Sequence, residues 1–485
     1  MKRIVTFLAF ALITGLGAYA QPTLQDFCGT PPYKSEWLER YQQNPQVINR
    51  SMLDTIYVPV TFHIVGKNDG TGYISYNRLM DGFCFLNEVF EQAAIQFYVK
   101  GDIRFINNSS YYDHNNSTGG QMMAANNVPN TVNFYVVNDP NGALGYYSPT
   151  RDAVALAKGS LTSGDYTWPH EAGHYLSLPH TFYGWETTDY DYNAQTPNTV
   201  TWGGITRLVE KVNGSNCVFA GDGFCDTSPD YLNFRWNCNG DVESPQIQKD
   251  QEGVDFRSDG TLIMGYALDG CVTRFTEGQI GAMRANLQQV RPGHLTNQEP
   301  GQPVASNELT PIFPAEGQAV LNGEPFSLEW EAIPNAEMYF VDISLISTFA
   351  FINKTFVTTT NSVDIAGDDL NPNRKYFWRI RPFNRYDACV SNSDVHSFEL
   401  AETISSANDW ETVQGLRLYP NPAKENQEVV LEFASEKVGN ATISILSLTG
   451  QALNSRRLDV AAGANRANLS VDGLPKGIYL VRIDA

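Results

Sequence analysis

His170, Glu171, His174 and His180 form the densest group of chemistry-bearing residues in this chain. They sit in the run His170-Glu171-Ala172-Gly173-His174-Tyr175-Leu176-Ser177-Leu178-Pro179-His180. Positions four apart on a helix share a face, so His170 and His174 project toward a common point. Neutral imidazoles suit Zn²⁺, which in catalytic sites takes three protein ligands and keeps one position open. His180 lies too far along for that face and must return to the metal across a turn. Glu171 is not a ligand in this pattern. Beside the metal it can take a proton from an activated water, whose pKa zinc lowers toward ~7, and pass it to a leaving amine. The implied chemistry is zinc-assisted hydrolysis of a peptide bond.

A helix carrying such a site needs a scaffold. Tyr57 to Val65 is an alternating, β-branched run and predicts a strand. Residues 77 to 96 carry helical periodicity through Leu79, Phe83, Leu86, Val89 and Phe90. Cys84 falls inside that helix and is expected as a buried free thiol. Phe97 to Val99, Ile103 to Ile106, Val132 to Val137 and Ala153 to Ala157 predict further strands. Together with the histidine helix they predict an α/β domain over residues 51–297. A turn-rich linker follows, from Asn297 to Pro303. Residues 304–400 then alternate in short runs, Phe326 to Trp330, Tyr339 to Ile343 and Lys375 to Ile380, as an antiparallel sandwich does. After a polar linker, residues 413–485 predict a small third β domain. The expected fold class is thus multidomain, an α/β peptidase-type domain followed by two antiparallel β-sandwich-like domains.

At 485 residues the chain exceeds one ordinary domain, and 42% hydrophobic with 12% aromatic residues suffices for packed cores. A net charge of -20 argues against nucleic acid or an anionic membrane as the main partner. Lys2 and Arg3, the apolar stretch Ile4 to Leu16 and Ala18-Tyr19-Ala20 read as a secretory signal over residues 1–20. The apolar run is short for a membrane span, and no later segment is long enough for one. Residues 21–50 would then be a propeptide. Export permits disulfides, and seven cysteines leave at least one without an internal partner.

The third histidine stands at the metzincin spacing HExxHxxGxxH, and Leu262-Ile263-Met264-Gly265-Tyr266 resembles a Met-turn. The segment from His170 to Phe182 resembles the pappalysin (cytophagalysin) family of metzincins. So do Gly221-Asp222-Gly223-Phe224-Cys225-Asp226-Thr227 and Met264 to Cys271 with Phe275-Thr276 and Gln279. The resemblance covers residues 25 to 290. It implies Met264 as an apolar support beneath the metal, and Tyr266 as a metal-approaching residue that stabilises the oxyanion; a packed core tyrosine is the other reading. It also implies Asp269 at the base of the pocket for the residue after the scissile bond. A buried carboxylate there favours Arg or Lys, hence cleavage on their N-terminal side; a solvated loop aspartate is the alternative. Cys28-Gly29 fits a cysteine switch, its thiolate filling the open zinc position, or an ordinary surface or disulfide cysteine. Asn49-Arg50 is the candidate activation bond. By resemblance the cysteines pair Cys217 with Cys238 and Cys225 with Cys271. Asp222 and Asp226 offer oxygens for Ca²⁺ or form a plain turn.

One departure is Ser177, where the family usually has glycine. A left-handed backbone there would cost about 1 kcal/mol. Pro179 is a second oddity on the approach to His180. Elsewhere, residues 304–400 resemble a fibronectin type III module. The Leu416-Arg417-Leu418-Tyr419-Pro420-Asn421-Pro422 start and the Leu474-Pro475-Lys476-Gly477-Ile478-Tyr479 hairpin resemble the C-terminal sorting domain of type IX secretion cargo. Members usually continue with a further strand and a basic tail, so the domain is expected to be incomplete at Ala485. The expected function is a secreted zinc metalloendopeptidase acting on proteins or peptides and exported through the type IX machinery. The alternative is a non-catalytic cell-surface adhesin or binding protein on the same scaffold, against which the intact Glu171 speaks.

Overall fold

One mixed sheet carries the histidine helix. The computed structural model describes residues 26–46, 53–299, 301–402, 413–424, 427–435, 438–448 and 450–484. The expected signal at 1–20 and the Asn49-Arg50 bond lie outside the described residues. In chain order come β1 (Asp26–Cys28), α1 (Glu36–Gln42), β2 (Ile56–Gly66), α2 (Tyr76–Phe90), β3 (Ile95–Val99) and β4 (Arg104–Asn107). Then follow α3 (Ser109–Tyr112), β5 (Asp113–His114), α4 (Asn116–Asn126), β6 (Val132–Val137), β7 (Asp139–Pro140), β8 (Ala143–Ser148) and β9 (Ala153–Ala157). The long helices α5 (Thr167–Tyr175) and α6 (Glu277–Gln289) come later.

The sheet runs β1-β8-β9-β6-β2-β3, with β4 also on β2. Strands β9, β6, β2 and β3 are parallel, whereas β8 is antiparallel to β9. Period-two alternation explains its two faces. Val60, Phe62, Ile64, Phe134, Val136, Val154 and Leu156 enter one core, and Val65, Tyr135, Val137, Ala153 and Ala155 the other. The first core also takes Phe83, Leu86 and Phe90 of α2, Trp168 and Ala172 of α5, and Ile280 and Met283 of α6. Both faces are covered, as parallel strands require, so β2 is buried nearly throughout.

Strands between Pro311 and Ala401 form sheets of three and five, around a core that includes Trp330, Tyr339, Trp378 and Phe398. They are not held by a linker alone. Cys84 is disulfide-bonded to Cys389, Arg381 Nη1 donates to Asp81 Oδ1 at 2.8 Å, and Asn77 Nδ2 donates to both Asp342 oxygens. The free thiol expected at Cys84 is therefore corrected. Phe83 and Leu86 turn toward the first core, which leaves Cys84 on the side of α2 that meets the sandwich.

Residues through Leu400 form one compact unit and Ala401–Ala485 a second. The second holds two antiparallel three-stranded sheets around Val429, Leu431, Phe433, Ile443 and Ile445. Its last strand is Leu480–Asp484, and the expected hairpin is an irregular approach to that strand. Among the described residues, no helix is long and apolar enough to cross a membrane.

Candidate metal centre and active site

Helix α5 starts with Asp165 Oδ1 accepting from Thr167 N at 2.9 Å, and Pro169 sits in its first turn, where a missing N–H costs nothing. It ends in a Schellman motif: Leu178 N donates to Gly173 O at 3.0 Å and Ser177 N to His174 O at 2.9 Å. That geometry needs a left-handed residue, and Ser177 has φ 79°. Asn286 Nδ2 donates to Ser177 Oγ at 2.6 Å, which ties the strained residue to α6. Pro179 follows the cap, a place where proline commonly terminates a helix, so its presence agrees with the turn. The same turn delivers His180 beside the helical pair.

His174 Nε2 lies 3.1 Å from both His170 Nε2 and His180 Nε2. His170 Nδ1 donates to Ile263 O and His174 Nδ1 to Leu178 O, each at 2.7 Å. Those bonds put the ring protons of His170 and His174 on Nδ1, so their Nε2 atoms present lone pairs toward His180 Nε2. Burial holds all three imidazoles neutral, His180 at about 3 and the other two well below the usual histidine range. Imidazole nitrogens this close, with only the Cys28 sulfur beside them, call for a cation. Zn–N bonds of about 2.0–2.1 Å and a Zn–S bond of about 2.3 Å imply tetrahedral edges of about 3.3 Å (N–N) and 3.6 Å (N–S). Cys28 Sγ, grouped with the three histidines, lies 3.5 Å from His174 Nε2. The donor set therefore fits zinc.

The turn beneath is built on close approach. A Cβ on Gly173 would stand 2.5 Å from Met264 Sδ, so glycine lets the fully buried Met264 pack against α5 at that position. Thr181 N donates to Met264 O at 3.1 Å, tying this turn to the chain after His180.

The N-terminal segment lies in the cleft. β1 adds to β8 in parallel, with Cys28 opposite Gly145, and Gly29 N donates to Gly145 O at 2.8 Å. Thr30 Oγ1 donates to Glu171 Oε2 at 2.7 Å and accepts from Tyr147 N at 2.8 Å. Glu171 is fully buried and its Oε1 has no partner; burial pushes its carboxyl up to about 7. Tyr266 OH donates to Cys28 O at 3.4 Å, and its ring meets those of His180 and Phe182 edge-on. Tyr266 is thus brought to the histidines, and both Cys28 and Thr30 cover the site. Nothing in the sequence near Thr30 signals its contact with Glu171.

Asp269 accepts from Tyr166 N at 3.3 Å and pairs with Arg235 at 3.4 Å. The cysteine pairing expected by resemblance is corrected: Cys217 bonds Cys225, and Cys238 bonds Cys271. The turn at Cys217–Phe219 leads directly into the loop that ends at Cys225. Trp236 N donates to Tyr266 O and Leu268 N to Trp236 O, which lays Cys238 beside Cys271.

Asp222 and Asp226 do not converge. Asp226 accepts from Thr276 Oγ1 and Gly278 N at the start of α6. Asp222 Oδ1 accepts from Phe224 N and Thr227 Oγ1, while its Oδ2 is buried without a partner. Glu210 Oε2 and Gln42 Oε1 are likewise buried and unpartnered. A Cβ on Gly221 would strike Glu210 Oε2, and one on Gly223 would strike both Gln42 Oε1 and Lys34 Nζ. Burial pushes both carboxyls up, and the charge of Asp222 adds to the push on Glu210. Sequence reasoning missed Glu210, Lys34 and Gln42, which lie far from the acidic loop in the chain.

Residues 417–485 match the model of a family described as "Secretion system C-terminal sorting domain". Over 317 residues the chain is 26% identical to "Extracellular metalloprotease 1" of Coccidioides posadasii (strain C735), covering 60% of this chain and 100% of that protein. It is 26% identical over 226 residues to an "Extracellular metalloprotease" of Colletotrichum graminicola, covering 40% of this chain and 79% of that one. Among solved structures, metalloproteinase-II from Bacteroides fragilis aligns at 12% identity and a TM-score of 0.19, covering 29% of this chain and 50% of that one. That superposition is too partial to bear on the fold. The sorting domain and the extracellular relatives mark this as a secreted or cell-surface protein that uses type IX secretion machinery, and they support a secreted metalloprotease in general terms.

Proposed function

We propose that the protein is a secreted zinc-dependent metalloendopeptidase of the metzincin type, held latent by its N-terminal segment. The observation that carries this reading is the convergence of three imidazole nitrogens beside a buried carboxylate with a free oxygen. His170, His174 and His180 would hold zinc, which when bound polarises the scissile carbonyl and acidifies a water. Glu171 Oε1 takes the proton from that water and returns it to the leaving amine. Tyr266, whose hydroxyl now donates to Cys28 O, would turn that hydrogen to the developing oxyanion. Met264 supports the histidines from below. Asp269 favours Arg or Lys on the C-terminal side of the cut bond.

Residues 21–50 act in this reading as a propeptide. Cys28 would fill the fourth position, Thr30 holds Glu171, and β1 covers the sheet edge where an extended substrate would pair. Cleavage at Asn49-Arg50 would release them. It would also withdraw Lys34 and Gln42 from Asp222 and Glu210, leaving two buried carboxylates free to take Ca²⁺. The catalytic domain would span 51–297, with the sandwich of 304–400 as its brace and 413–485 as the sorting domain.

The test is hydrolysis of casein by the protein freed of residues 1–50, with and without a chelator, beside the Glu171→Ala variant. Chelator-sensitive cleavage that Glu171→Ala abolishes supports the reading. A Glu171→Ala variant as active as the parent, or an inactive parent with full zinc content, would favour the non-catalytic adhesin instead.

A further inference from the structure

The space beside the candidate metal position has a wall that none of the sequence motifs contains. Arg235 lays its guanidinium 3.9 Å from the centre of the Phe27 ring. The same side chain reaches Asp269 Oδ2 with Nη2 at 3.4 Å, while its Nη1 is buried with no partner. Phe27 is 6% exposed, and its ring meets those of His170 and Tyr266 edge-on at 4.9 and 5.3 Å. An aromatic side chain thus fills the gap between the histidines and Arg235.

Arg235 is held there by its neighbours. Trp236 N donates to Tyr266 O at 3.3 Å and Leu268 N to Trp236 O at 2.9 Å. The Cys238–Cys271 disulfide closes the same pair of loops. The loop that bears Arg235 is therefore stitched on both sides to the loop that bears Asp269.

We propose that Arg235 is a specificity-determining residue, which sets the pocket floored by Asp269 to accept an aromatic side chain stacked on its guanidinium as well as a basic one. The proposal rests on the peptidase reading and on Asp269 as the pocket floor. A carboxylate alone would select strongly for a cation. With Arg235 against it, an incoming Arg or Lys meets like charge and must share or displace the resident guanidinium. That displacement is feasible, because the pair makes one long contact and is partly exposed, 25% and 34% for its two side chains. An aromatic residue meets no such opposition and gains the cation–π contact, about 2- to 30-fold in affinity.

The experiment uses the full chain activated by limited proteolysis of its N-terminal segment. Two peptides differ only in the residue after the cut bond, Phe or Arg, and kcat/KM is measured for each. The parent is expected to cleave both. Arg235→Gln is expected to lower the Phe:Arg ratio by about tenfold or more, and Asp269→Asn to raise it. Arg235→Lys keeps the charge but lacks the planar face, so it should lose the preference for Phe while still opposing Arg; it decides the matter if Arg235→Gln fails to fold. A ratio within twofold of the parent in both Arg235 variants, with Asp269→Asn still shifting it, overturns the role of Arg235 alone. A ratio that moves with Arg235 but not with Asp269 overturns the pocket-floor reading. No cleavage of either peptide by a zinc-loaded parent overturns the peptidase reading and this proposal with it.

Discussion

Ser177 offers a quantitative check on how the metal-site turn is held. Its φ of 79° places a Cβ in the left-handed region, at a cost of roughly 1 kcal/mol relative to glycine. Against this stands the bond from Asn286 Nδ2 to Ser177 Oγ. Asn286 is 1% exposed, so removing its acceptor strands a buried amide, at a cost of about 1–3 kcal/mol. Ser177→Gly relieves the strain, strands the amide and adds about 0.4–1 kcal/mol of unfolded-state entropy. The expected net is a loss of about 0.4–3 kcal/mol, although glycine is the residue the turn itself prefers. Ser177→Ala keeps the strain and loses the bond without the glycine entropy cost, so it should lose about 1–3 kcal/mol, at most about 0.6 kcal/mol more than Ser177→Gly. Urea unfolding of the intact chain reads this as a shift in midpoint at unchanged m-value. A Ser177→Gly protein more stable than the parent by 1 kcal/mol would refute the compensating role of Asn286. An unchanged Ser177→Ala protein would refute the cost assigned to the stranded Asn286 amide.

The candidate latch and cation site yield two further predictions. Cys28→Ala should shorten the lag before the intact chain becomes proteolytically active, about tenfold if the contact is worth about 1.4 kcal/mol; an unchanged lag by a quenched-casein assay contradicts the switch. Calorimetric titration with Ca²⁺ should detect binding to protein freed of its N-terminal segment but not to the intact chain, and Asp222→Asn should abolish it. Equal binding by both forms would mean that Lys34 and Gln42 do not fill the site.

What could be read in the sequence was local. The four-residue spacing of His170 and His174 is a property of one helix. The strands Val132–Val137 and Ala153–Ala157 announce themselves by β-branched and apolar runs. The strand Ala143–Ser148 does not, because Gly145 interrupts it; a Cβ there would stand 2.9 Å from Glu171 Cγ. The Cys84–Cys389 and Cys238–Cys271 disulfides, the contact of Thr30 with Glu171 and the pairing of Arg235 with Asp269 join residues far apart in sequence. Periodicity carries no information about such pairs. Ser177 illustrates the reverse case: the family resemblance pointed to a left-handed turn, but its support by Asn286 required the position of α6.

X-ray absorption at the zinc edge of the intact, zinc-replete chain tests the account most directly. One zinc per chain is expected, with three nitrogens at about 2.0–2.1 Å and one sulfur at about 2.3 Å. A zinc-free chain, or a zinc shell of nitrogen and oxygen without sulfur, would contradict the site built from His170, His174, His180 and Cys28.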